Sequence, residues 1–142
     1  MKKHGFQKID PRGEEICGPE AVLVCGFPAT VEEPLRDLLA RVDAPNHRVV
    51  FCTPRMVKQE LGRALEPGPD ETDETPAAPD ELPRVMVLSG MTGGQLQNFV
   101  STYRTAGLPR PIFASTTPIN VGFPVGRLIV DLLKEQRAMS QR

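Results

Sequence analysis

Two short stretches carry the residue types that could hold a ligand. One is Val22-Leu23-Val24-Cys25-Gly26-Phe27; the other is Met86-Val87-Leu88-Ser89-Gly90-Met91, sixty-four positions later. Each is an apolar run closed by a small residue and a glycine, and each opens into a helical pattern. A helix that starts there presents free backbone N–H groups and a partial positive charge, which suit phosphate or carboxylate. The first turn offers Gly26 and Thr30. The second, Ser89-Gly90-Met91-Thr92-Gly93-Gly94, is the richer: Gly90, Gly93 and Gly94 let a ligand approach the backbone, and Ser89 and Thr92 add hydroxyls. The competing reading is that the glycines only make tight turns and the hydroxyls only cap.

A third stretch, Thr116-Thr117-Pro118-Ile119-Asn120, adds two hydroxyls and an amide that could read a ligand edge, or could make turn hydrogen bonds instead. Cys25 and Cys52 end two stretches expected to be neighbouring strands. A thiol beside a helix N-terminus has a lowered pKa; the alternative is that both are small core residues. No GxxxxGK[ST], GxGxxG or GxSxG occurs. His4 and His47 are isolated, so no metal site and no cofactor is expected, and no catalytic set is recognised.

The elements that must position these groups alternate. Residues 21–27 are short, apolar and β-branched, a buried strand. Thr30-Val31-Glu32-Glu33 has the form of a capping box. Leu35, Leu38, Leu39 and Val42 then mark one face of a helix. Arg48 to Thr53 is a second strand stopped by Pro54, and Val57, Leu61, Ala64 and Leu65 mark a second helix. The plan repeats. Arg84 to Leu88 is strand-like; Thr92-Gly93-Gly94-Gln95 is a second capping box; Leu96, Phe99, Val100 and Tyr103 form a helical stripe. Pro111 to Thr117 is a strand stopped by Pro118, and a helix from Val125 follows. Gly26/Gly90, Pro45/Pro109, Thr53/Thr117 and Pro54/Pro118 fall in one register, and the second copy carries about four extra residues after Pro118 by this alignment. Glu15-Ile16-Cys17 reads as a short edge strand.

Strands alternating with helices argue for an α/β fold: a four-stranded parallel sheet, order 2-1-3-4, flavodoxin-like or Rossmann-like, built from two βαβα pseudo-repeats. The expected division is an extension at 1–20, a first half at 21–65, a linker at 66–82 and a second half at 83–142, the halves forming one domain. In that sheet Gly26 and Gly90 face each other across a crevice at the carboxyl ends of the strands, where open α/β sheets bind ligands.

Composition bounds the partners. Residues 66–82 hold seven acidic residues and no base, so the rest of the chain counts 17 basic against 11 acidic, or +6. Pro-rich and acidic, this segment reads as a flexible tether. The bases elsewhere are scattered and few aromatics interleave them, so nucleic acid is not the expected partner. No apolar run approaches the roughly 20 residues that cross a bilayer. Three cysteines without CxxC spacing read as free thiols of a cytoplasmic protein. The expected partners are a second copy, another protein or a small anion. The leading reading is a non-catalytic binding or self-association module; the alternative is a small anionic-ligand or nucleotide site at the crevice.

Residues from about 84 to 137 carry Val85-Met86-Val87-Leu88-Ser89-Gly90, then Thr117-Pro118-Ile119-Asn120, then Leu128 to Glu135. This pattern resembles a small bacterial domain family of unknown function, in which a strand ending in Thr-Pro-x-Asn precedes a final helix. The resemblance implies the fold and no activity.

Overall fold

The structure, a computed structural model, describes residues 16–66 and 75–140. Four strands, β1 (Ala21–Cys25), β2 (Arg48–Phe51), β3 (Val85–Ser89) and β4 (Ile112–Ser115), form one sheet in the order β2-β1-β3-β4. The helices are α1 (Glu32–Arg41), α2 (Leu61–Leu65), α3 (Gly93–Arg104) and α4 (Val125–Ser140). Short 3-10 turns precede α1, α2 and α4 at Ala29–Val31, Arg55–Lys58 and Asn120–Gly122.

The order matches the expectation, but the sheet is mixed. β1 and β2 run parallel, as do β3 and β4, while the central pair β1 and β3 is antiparallel. The all-parallel sheet is therefore overturned. The physical reason is that β1 and β3 are buried along their whole length, and a continuous apolar run specifies burial without specifying direction.

Alternate residues of these strands face opposite layers. Val22, Val24, Met86 and Leu88 pack with Leu35, Leu38 and Leu39 of α1 and with Leu96, Phe99 and Tyr103 of α3. Leu23, Cys25, Val85 and Val87 pack with Leu61 and Leu65 of α2 and with Val125, Leu128 and Ile129 of α4. Each layer thus takes one helix pair, the first from both halves and the second from both halves.

The pairing is symmetric about the sheet centre. Leu23 pairs with Val87, the residue sixty-four positions on, and Ala21 and Cys25 pair with Ser89 and Val85. The same offset recurs above the second layer, where Glu60 bridges Pro124, Leu61 N donates to Phe123 O and Val125 N donates to Gln59 O. α2 and α4 start at Leu61 and Val125, so no extra residues separate Pro118 from the last helix, and the expected insertion is corrected. With the register unbroken, Pro19/Pro83, Val57/Val121, Gly62/Gly126 and Arg63/Arg127 join the identical pairs.

Two smaller expectations also change. Ile16 and Cys17 belong to no strand, and Glu15 lies outside the described residues. Thr30 caps nothing: the chain enters α1 through the 3-10 turn, with Val31 N donating to Pro28 O, and neither start has a side-chain cap. Of the linker, residues 67–74 lie outside the described residues. Further on, Ala77 N donates to Cys52 O, and Leu82 packs under the second layer.

Candidate functional site

The antiparallel centre sends the two glycine corners to opposite ends of the sheet. Gly90 follows Ser89 and lies beside Glu20, whereas Gly26 follows Cys25. Six steps of β-strand separate them, ~20 Å at ~3.3 Å per residue. No crevice joins them. Each corner is instead filled by a proline of the other half. A Cβ on Gly26 (φ 79°) would stand 2.5 Å from Pro83 O, and one on Gly90 (φ 70°) 2.6 Å from Pro19 O. Both glycines are required by the backbone, and neither leaves room for a ligand.

The ten residues expected to bind a ligand therefore divide into two groups. Ser89, Gly90, Thr92, Gly93, Gly94, Thr116, Thr117 and Asn120 share the end where β3 and β4 finish; Gly26 and Thr30 follow β1 at the other. At the first end the polar atoms bond to one another. Thr92 caps α3 in the capping box the sequence implied: Gln95 N donates to Thr92 Oγ1 (3.1 Å) and Thr92 N to Gln95 Oε1 (2.9 Å). Ser89 is fully buried; Thr116 Oγ1 donates to Cys17 O (2.7 Å) and lies 3.4 Å from Ser89 Oγ. Gly18 (φ 87°) covers the pair so closely that a Cβ there would collide with Ser89 Oγ. Asn120 Oδ1 accepts from Thr117 N (2.8 Å), Asn120 N donates to Thr117 Oγ1 (3.0 Å), and Asn120 Nδ2 donates to Ser115 O (3.1 Å). That last bond covers a carbonyl at the end of edge strand β4.

His47, set aside as isolated in the sequence, belongs to this end. It is 3% exposed, and its Nε2 lies 3.1 Å from Gly90 O, which assigns the proton to Nε2. Its buried Nδ1 has no partner. With the bond from Gln95 Nε2 to Asp43 O (2.9 Å), it ties the loop between α1 and β2 to the turn before α3. The distance in sequence between His47 and Gly90 hid this contact.

At the opposite end Cys25 and Cys52 are neighbours, as expected, but are only 1% and 2% exposed. Both are free thiols. A hydrogen bond with Cys52, burial, and the proximity of Cys52's own charge push the Cys25 thiol far up from its usual value. That is the reverse of the depressed pKa a nucleophile needs. Thr30 is exposed beside Glu32 and Glu33, and these carboxylates already satisfy the positive end of α1 and repel an anion. Glu32 pairs with Arg36 at 2.7 Å.

A concave surface at this end carries cationic charge. A groove of about 360 Å³ runs between β3, β4 and the second half of α4. Leu82, Ile112 and Leu133 form its apolar walls, with Arg84 and Arg110 among its lining residues. Neither arginine has a salt bridge among the described residues, and no lining residue bears a carboxylate. The sequence reading missed both. The available signal was position: Arg84 stands one residue before β3 and Arg110 two before β4, so parallel pairing brings them to one end. Nearby, Tyr103 donates its hydroxyl to Pro109 O. Burial pushes its phenol up to about 12, against the charge of Arg84, which lowers it.

Among the described residues no group of three or more His, Cys, Asp and Glu could hold a metal ion, and no helix is long and apolar enough to cross a membrane. The family model of a Domain of unknown function (DUF3783) matches residues 84–139, the stretch that carried the resemblance to a small domain family. No curated protein and no solved structure matches the chain.

Proposed function

We propose that the protein is a non-catalytic α/β binding module of the cytoplasm, made by duplication of a βαβα unit. One observation carries this reading: apart from the exposed Thr30, the side chains that offered chemistry are spent on holding the fold. Both glycine corners are plugged by Pro19 and Pro83, both thiols are buried and that of Cys25 has its pKa pushed far up, and Thr92, Thr116, Thr117 and Asn120 bond internally. Duplication is supported by pairing that is symmetric under a shift of sixty-four residues: Leu23 and Glu60 pair with their own equivalents Val87 and Pro124, and Ala21–Ser89 corresponds to Cys25–Val85. Function then falls to the outer surface.

A thermal-shift panel of nucleotides, inorganic phosphate and small carboxylates tests the reading. The melting temperature should move by less than about one degree with any of them, a shift below ~0.5 kcal/mol by ligand linkage. A ligand-induced rise that Thr92→Ala or Asn120→Ala removes would overturn it.

A further inference from the structure

The geometry points to the Arg84–Arg110 groove as the docking site for an acidic segment of a protein partner, one that presents an apolar side chain between carboxylates. The proposal rests on the binding-module reading and names the partner's chemistry. Three observations carry it. The groove is concave and walled by Leu82, Ile112 and Leu133, which remain only half-buried without an occupant. Its only charged lining residues are the two arginines, both exposed and without an ion-pair partner among the described residues. Glu81, next to the lining Leu82, is turned into its own strap, where its Oε1 accepts from Ala78 N at 2.8 Å.

The symmetry-related positions sharpen the assignment. Sixty-four residues before Arg84 and Arg110 stand Glu20 and Asn46. Arg48 stands in the place of Ile112 at that other end and donates to Leu65 O, so the two ends share a backbone plan but the Arg84–Arg110 pair is not a requirement of the fold. A guanidinium fork grips a carboxylate with two parallel N–H bonds, which an ammonium cannot do. Prolines at 79, 83 and 111 line the groove as well, and they offer no N–H groups that would compete for the occupant.

The test uses the full chain and a fluorescein-labelled peptide, Glu-Asp-Leu-Asp-Glu, followed by fluorescence anisotropy. The isosteric peptide Gln-Asn-Leu-Asn-Gln is the control. The acidic peptide should bind and the control should bind at least about tenfold more weakly, ~1.4 kcal/mol. Raising salt from about 50 mM to about 500 mM should weaken binding several-fold, since exposed charges are screened. Arg84→Glu with Arg110→Glu should abolish binding while leaving the melting temperature within a few degrees, because both side chains are exposed; Arg84→Lys with Arg110→Lys should recover only part of it. Equal binding of the two peptides, or undiminished binding by the charge-reversed chain, overturns the proposal. So does light scattering that finds a dimer dissolved by the same reversal, since the occupant is then a second copy. Failure here with an inert small-molecule panel removes only the groove. A small ligand that stabilises the chain through Thr92 removes the module reading instead.

Discussion

At one end of the sheet Ser89 and Thr116 lie side by side under Gly18; at the other, Cys25 and Cys52 lie side by side under the strap that includes Ala77. The two pairs occupy corresponding places, sixty-four residues apart, at the ends of β3 and β1 and just past β4 and β2. What differs is the cover each demands. A buried hydroxyl must be hydrogen-bonded, and Thr116 finds Cys17 O. A thiol is a weak donor that behaves as a small apolar group, so the cysteine pair tolerates an apolar strap carrying Leu82. The same skeleton therefore carries a polar seal at one end and an apolar seal at the other. Beside the apolar end lies the groove lined by Arg84 and Arg110, which have no ion-pair partner among the described residues.

The largest test of that shared skeleton is at the glycine corners. Gly26→Ala and Gly90→Ala each combine a positive φ with a Cβ driven into a proline carbonyl. Each should cost ~3–5 kcal/mol, from the left-handed backbone and from overpacking together. Urea unfolding checks it. Similar losses would uphold the equivalence of the two ends; a harmless substitution at one corner would break it.

Substituting the thiol pair comes next. Cys25→Ser puts a hydroxyl under an apolar strap and should cost ~1–3 kcal/mol. Ser89→Cys leaves Thr116 its bond to Cys17 O and should cost less than ~1 kcal/mol. Equal costs would mean that the strap accepts polar groups as readily as the Gly18 cover does. A pH titration adds a second view of the buried groups. Tyr103 has a folded pKa raised from 10.0 to about 12, so the stability it confers is complete below pH 10 and is lost as pH rises from there through about 12. Tyr103→Phe should flatten that alkaline limb in thermal melts, and an unchanged limb would assign it elsewhere.

Much of this was legible in the sequence, and its limits are physical. The stripe Leu35-Leu38-Leu39-Val42 is buried as its spacing implied; of Leu96, Phe99, Val100 and Tyr103, three are buried and Val100 is half-buried against the same core. The strand order and the Thr92–Gln95 box also followed. The direction of β3 did not, because an apolar run buried on both faces has no polarity. A clue lay in the length of 66–82. Leu65 O accepts from Arg48 at the start of β2, so α2 ends near the start of β1, while Val85 begins at the far end. A parallel β3 would have started beside Leu65 and needed only a few connecting residues. Returning along the sheet takes at least about six extended residues, and the seventeen of 66–82 allow it. For the site, the hydroxyls of Thr117 and Asn120's amide suit a cap and a ligand equally well, and only coordinates distinguish them. His47, Arg84 and Arg110 acquire meaning from neighbours distant in the chain.

Gly62 and Gly126 separate the halves at finer scale. Both stand in the first turn of α2 or α4, against the 3-10 turn of the other half. A Cβ on Gly126 would come within 2.8 Å of Val57 Cγ1 and 3.2 Å of Val57 O, whereas one on Gly62 stays 3.4 Å from Val121 O. Gly126→Ala should cost ~1–2 kcal/mol by overpacking. Gly62→Ala should be neutral or gain up to ~1 kcal/mol, since alanine favours the helix. Chemical unfolding of the two variants checks the asymmetry, and identical losses would remove it.

The smallest effect concerns the helix ends that precede β2 and β4. α1 closes in a Schellman motif, with Ala44 N donating to Leu39 O and Asp43 N to Ala40 O, and Asp43 holds the left-handed position at φ 66°. The corresponding residue after α3 is Gly107 at φ 75°, with nothing near the place a Cβ would occupy. Asp43 meets a cost that Gly107 avoids. Asp43→Gly should therefore stabilise the chain by up to ~1 kcal/mol, and its carbonyl still accepts from Gln95. Gly107→Ala should destabilise by ~1 kcal/mol through backbone conformation alone. The two changes are exposed and precede β2 and β4, which start at opposite ends of the sheet, so their effects should add in the double variant. Opposite signs in urea unfolding would confirm that the halves differ here only in which residue bears the turn; two losses would show that the Asp43 side chain does something for the loop that its backbone geometry does not reveal.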